Sequence, residues 1–102
     1  MTKAVESKPD SADVRMNLGH ALADKGRYQE AIGHLQEAVR LSGGSNPAML
    51  DLLGCVYAEV GRFPEAAQAE RQALAAAIQQ NNFGLSEALK ARIALYESGK
   101  KR

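Results

Sequence analysis

The chain has a single cysteine, almost no net charge and no apolar run of membrane length, and each shortage closes a class of explanation. One thiol, Cys55, excludes an internal disulfide framework and fits a reducing compartment. Thirteen basic residues against twelve acidic ones leave a net charge of +1, which argues against a broad nucleic-acid-binding face, since such a face needs a basic excess. The opening residues, M-T-K-A-V-E-S-K-P-D, hold no apolar stretch that could act as a secretion signal, so a cytoplasmic setting is expected. Valine and isoleucine are few and never alternate with polar residues over a run, so no strand is expected. There is no G-x-S-x-G elbow, Walker loop or H-E-x-x-H pair. The run Gly43-Gly44-Ser45 follows a helical pattern, lacks the lysine of a phosphate loop and reads as a turn. No catalytic residue, no cofactor and no metal site are therefore expected.

What is present is repetition. The segment N-L-G-H-A-L-A-D-K-G-R-Y-Q-E-A, Asn17 to Ala31, returns as L-L-G-C-V-Y-A-E-V-G-R-F-P-E-A, Leu52 to Ala66. Gly19 and Gly54 occupy the same place in the two copies, 35 residues apart. A period of this size with two helical patterns in each copy marks a stacked helical array rather than one closed core. At 102 residues, 45% hydrophobic and 25% charged, the chain is globular and holds one domain at most.

Five helices follow from the pattern. Asp10 or Ser11 caps the first, in which Val14, Leu18, Ala21 and Leu22 recur at helical spacing until Lys25-Gly26. The second runs from about Tyr28 to Leu41, with Ala31, Ile32, Leu35, Ala38 and Val39 on one face, and Ser42-Gly43-Gly44-Ser45 breaks it. Asn46 caps the third and Pro47 opens it; Leu50, Leu53, Tyr57 and Val60 carry it to Gly61. The fourth is predicted over residues 64–80. After a loop at 81–84, a fifth spans about Leu85 to Ser98, striped by Leu85, Leu89, Ile93 and Tyr96. Gly19 and Gly54 fall inside helices, where Gly costs roughly 1 kcal/mol against Ala, so both positions predict a close helix crossing. Ala31, Ala38, Ala66 and Ala73 have the same use on the second helices.

These residues resemble the tetratricopeptide repeat, whose unit of about 34 residues carries a W-x2-L-G-x2-Y…A-x3-F…A…P pattern. A first unit, 12–45, supplies Leu18, Gly19, Leu22, Ala31, Leu35 and Ala38, and departs at Arg15 and Gly43. A second unit, 47–80, supplies Leu50, Leu53, Gly54, Tyr57, Ala66 and Ala73, and departs at Glu70 and Ile78. The resemblance implies an all-α fold of antiparallel helix-turn-helix repeats stacked in a right-handed superhelix, closed by a C-terminal capping helix over 84–99. Ala4 and Pro9 match the end of the family's unit, so residues 1–11 are expected to be the tail of a preceding partial repeat.

The resemblance also implies a concave groove lined by the first helix of each unit. The lining positions fall on Asp13, Met16, Asn17, His20, Ala23 and Asp24, then Ala48, Asp51, Cys55, Ala58 and Glu59. Asp13, Asp24, Asp51 and Glu59 make this wall acidic, which favours a basic or mixed-charge peptide, with ordinary solvated helix residues as the alternative. Met16, His20 and Asp51 stand where some relatives place a basic clamp for a partner's terminal carboxylate, so that clamp is not expected. His20 and Cys55 occupy equivalent positions and could face each other, but their spacing matches no compact zinc pattern. His34 lies on the opposite helix without an evident acidic partner. Lys100-Lys101-Arg102 reads as a solvated tail or a weak contact for acidic groups. The expected function is a non-enzymatic protein-interaction module that binds a peptide or helix, with no nucleic acid and no membrane. The alternatives are a substrate-recruiting accessory domain of a larger enzyme, such as a glycosyltransferase-like protein, and self-association through an uncovered first helix.

Overall fold

A computed structural model describes residues 11–101, so the expected partial repeat at 1–11 lies outside the described residues except for Ser11. Five helices follow one another: α1 (Ala12–Asp24), α2 (Tyr28–Leu41), α3 (Pro47–Glu59), α4 (Phe63–Gln79) and α5 (Phe83–Glu97). No strand occurs among the described residues. Three of the four connections have three residues and the other has five. Three residues span about 10 Å and these helices are about 20 Å long, so each helix must turn back against the one before it. Consecutive helices pack together along the chain, α1 also touches α3, and the result is a flat body of 48 × 32 × 17 Å.

The turns repeat because the same residues stand in them. Gly26 and Gly61 adopt φ values of +79° and +78°, a region that side-chain-bearing residues rarely enter. In both turns the next amide reaches back to close the helix, Arg27 N to Leu22 O and Arg62 N to Tyr57 O, each at 2.9 Å. Asn81, at φ +58°, takes the same conformation after α4. Asn46 caps α3 as its sequence position implies, its Oδ1 accepting from Ala48 N at 3.0 Å and Met49 N at 3.3 Å.

Two helix starts differ from expectation. Ser11 occupies the N-cap position of α1 with extended backbone, but its side chain makes no capping bond, and Asp10 lies outside the described residues. The expected loop at 81–84 is half helix. Asn82 Oδ1 accepts from Leu85 N at 3.3 Å, so the cap lies earlier and Phe83 and Gly84 form the first turn of α5. First-turn amides have no partner within the helix, so one cap bond is enough to move the boundary.

The glycine crossings are as tight as the sequence implies. A Cβ on Gly19 would stand 2.7 Å from Leu35 Cγ, and one on Gly54 would stand 2.6 Å from Glu70 Oε2. Ala31, Ala38, Ala66 and Ala73 are fully buried. Leu35, Met49, Leu50 and Leu89 form the largest buried apolar side chains. The stripe predicted on α1 is only partly covered. Val14 is 39% exposed and Leu18 42%, whereas Met49 and Leu53, 35 residues further on, are 1% and 7% exposed. On α3 that face packs under α2, and among the described residues nothing does the same for α1. No helix among them is long and apolar enough to cross a membrane.

Candidate partner groove and the polar cluster beside it

The α1–α2 and α3–α4 pairs set their first helices side by side, and a cavity of about 330 Å³ opens between α1 and α3. Four expected groove residues line it, His20 and Asp24 from α1 with Cys55 and Glu59 from α3. Ala23 lines it as well, and Tyr28, Leu52 and Val56 add apolar wall. His20 and Asp24, one helical turn apart, approach to 3.4 Å, and both stay exposed. Asp13 and Asn17 are exposed further up α1, and Met16 is half-buried against the core.

Other expected residues are elsewhere. Ala48 is exposed but lines a different depression, with Ser45, Asn46, Gln80 and Leu85 at the opposite end of α3. Ala58, expected on the wall, is buried in the core with Val56 and Tyr57. A one-residue step around a helix is about 100°, so two adjacent positions seldom share one face.

The acidic wall is also less acidic than the sequence implies. Arg92 Nη1 on α5 lies 2.9 Å from Asp51 Oδ2, and Lys101 Nζ lies 3.2 Å from Glu59 Oε1. Two of the four carboxylates therefore already have cationic neighbours from the C-terminal part of the chain. The acidic group that the basic tail meets is the chain's own Glu59. His34 accepts from Arg15 Nη1 through Nδ1 at 3.1 Å, so its partner is a base rather than an acid.

The largest addition is Glu70, which the repeat pattern marks only as a departure. It sits on α4 opposite Gly54 and is 0% exposed. Its Oε2 is 4.0 Å from Cys55 Sγ, and Oε1 is buried with no donor among the described side chains. Burial, with the hydrogen bond and negative charge of Asp51, pushes the carboxyl up to about 9, so Glu70 is a neutral acid at pH 7. Cys55 Sγ is 3.7 Å from Asp51 Oδ1 and receives the Tyr96 hydroxyl at 3.6 Å. Burial first, then the Asp51 and Glu70 charges, raise the thiol to about 11. Cys55 is thus a protonated thiol, not an activated nucleophile. Burial likewise raises the Tyr96 phenol.

Sequence reasoning missed Glu70, Arg92, Tyr96 and Lys101 as neighbours of the groove. One signal was present. Glu70 interrupts an apolar stripe formed by Ala66, Ala69, Ala73 and Ala77, at the place where the first copy carries Leu35. One atom each from Asp51, Cys55 and Glu70 lies within 4.8 Å of the others, a grouping of side chains able to hold a metal.

A comparison with the curated proteins finds no match. A family model described as the tetratricopeptide repeat matches residues 10–79, the span of the two helix pairs α1–α2 and α3–α4. With the 35-residue period, the paired glycine crossings and the repeated turns, that match shows that the chain belongs to the tetratricopeptide repeat family.

Proposed function

We propose that the chain is a non-catalytic interaction module that receives a peptide or helix against the faces of α1 and α3. The tetratricopeptide repeat is in general a protein–protein interaction module. The observation that carries the reading is the cavity between α1 and α3, where an apolar wall meets the polar ends of His20, Asp24, Cys55 and Glu59. In this reading residues 12–45 and 47–80 are repeats of a right-handed superhelix, and 84–99 closes the array. A basic segment is favoured at the α1 side, where Asp13 and Asp24 remain exposed, and less at α3, where Arg92 and Lys101 neighbour the carboxylates. Peptide arrays of basic, neutral and acidic segments, followed by calorimetry on Asp24→Lys and His20→Ala, test this. A basic segment whose affinity drops about fivefold with Asp24→Lys supports the reading, on the scale of about 1 kcal/mol for an exposed ion pair. Unchanged affinity in both variants, or no segment bound, overturns it.

A second reading is favoured by the exposure of Val14 and Leu18, whose counterparts on α3 are buried. Here a second copy covers the face of α1. Sedimentation at rising concentration tests it. A dimer dispersed by Leu18→Glu supports this reading, and a monomer throughout refutes it.

A further inference from the structure

We propose that Asp51, Cys55 and Glu70 form a binding site for a thiophilic divalent cation of the zinc type, where α3, α4 and α5 meet. Asp51 and Cys55 stand one turn apart on α3 and so share a face. Glu70 comes across from α4, brought close because Gly54 has no side chain. Cys55 Sγ lies 3.7 Å from Asp51 Oδ1 and 4.0 Å from Glu70 Oε2. Zinc bonds of about 2.3 Å to sulfur and about 2.0 Å to oxygen put tetrahedral ligands about 3.5 Å apart. The two sulfur–oxygen distances are within about half an ångström of that, and the three ligand atoms all lie within 4.8 Å of one another.

A second observation points the same way. Glu70 is completely buried, and its Oε1 has no donor among the described side chains. The fold does not require a carboxyl there. In the first helix pair the equivalent place is filled by Leu35 against Gly19, with Met16 and His20 where the second pair has Asp51 and Cys55. A buried acid at a position that an apolar residue fills elsewhere in the same chain calls for a ligand.

The exchange leaves the net charge of the site unchanged. Five titratable or charged groups face the site: Asp51 and Cys55 from α3, Glu70 from α4, and Arg92 and Tyr96 from α5. Without an ion, the Asp51–Arg92 pair is neutral beside a protonated thiol and a protonated carboxyl. With a divalent ion, the Cys55 S–H and Glu70 O–H bonds break and two protons pass to solvent. Metal–sulfur and metal–oxygen bonds replace them, and no redox change occurs. The thiolate, two carboxylates, Arg92 and the ion again sum to zero. Arg92 occupies Oδ2 of Asp51 and leaves Oδ1 toward Cys55, so it is a positioning residue for that ligand. Tyr96 Oη flanks the thiol, 3.6 Å from Cys55 Sγ. Cys55 also lines the groove cavity, which provides a path of entry. A thiolate selects zinc-type ions over magnesium or calcium.

The test is titration of the chain with Co²⁺ under reducing conditions, followed by displacement with Zn²⁺. The expected result is one ion per chain, with a thiolate-to-cobalt charge-transfer band and the intense visible bands of a tetrahedral site. Affinity should rise with pH, because a thiol gives up its proton when it ligates the ion. Cys55→Ser should abolish the charge-transfer band. Glu70→Leu carries the side chain that already packs at position 35, so the helices should persist by circular dichroism. It should weaken binding by more than the roughly 10–100-fold typical of an outer partner such as Arg92. Absence of a charge-transfer band in the folded, reduced chain overturns the proposal. So does a band that survives Glu70→Leu, or one lost with His20→Ala, which would place the ion on the groove instead.

Discussion

Replacing Glu70 by leucine should make the protein more stable at neutral and alkaline pH, and should remove most of the pH dependence of its stability. The carboxyl titrates near 9 in the folded chain against 4.5 as an ordinary glutamate, mainly because burial disfavours the charged form. Between those values the folded state holds a proton that the unfolded state has released. Stability must then fall as pH rises from about 4.5 to about 9, and level off above that for this group. Each pH unit in the window costs about 1.4 kcal/mol. The cumulative loss is about 3 kcal/mol at pH 7 and about 6 kcal/mol by pH 9, within a total stability of about 5–15 kcal/mol for a small domain. Leucine removes this loss and also the hydrogen bond to Asp51, worth about 1 kcal/mol. Leu35 already packs on Gly19 in the first helix pair, so the shape is tolerated. The net gain at pH 7 is about 2 kcal/mol, or roughly 10 °C in Tm for a chain of this size. Urea denaturation from pH 5 to 9.5 at constant ionic strength, with chelator present to exclude metal, measures it. The parent midpoint should fall steadily and the Glu70→Leu midpoint should stay nearly flat. A flat parent profile, or a variant less stable than the parent at pH 8, refutes the reasoning.

Three further outcomes follow from the packing. Gly19→Ala should cost about 1–2 kcal/mol in urea denaturation despite alanine's better helix propensity, because its Cβ would meet Leu35 Cγ at 2.7 Å and the Ala31 carbonyl at 3.3 Å. Tyr57→Phe should cost about 1 kcal/mol, since Gln36 Nε2 donates to Tyr57 Oη at 2.6 Å and this bond ties α2 to α3; equal midpoints would deny it a role. Arg92→Ala should raise amide exchange in α5 more than in α2, because its pair with Asp51 joins α5 to α3; a uniform change would argue against that tie.

The fold was largely legible because its signals are local. The boundaries of α2 follow from apolar spacing and a glycine turn. Asn46 announces the start of α3 through a bond that reaches only two or three residues ahead. The start of α5 lies two residues before the expected Leu85 because Asn82 carries the cap. The site was legible as a face but not as a charge distribution. His20, Asp24, Cys55 and Glu59 do meet, whereas Ala58 turns inward and Ala48 belongs to another depression.

By itself the sequence determined the period, the helix order, the glycine crossings and the turns, since these rest on spacings of a few residues and on a repeat that can be aligned with itself. Only the tertiary structure decided which groups neutralise the groove wall and where Glu70 lies. Arg92 reaches Asp51 across 41 positions of chain, and Lys101 reaches Glu59 across 42. No periodicity encodes that distance, because it arises from the way α5 folds back over α4 toward α3. The protonation of Glu70 comes from the same cause: it depends on the burial and on the neighbouring carboxylate that packing creates.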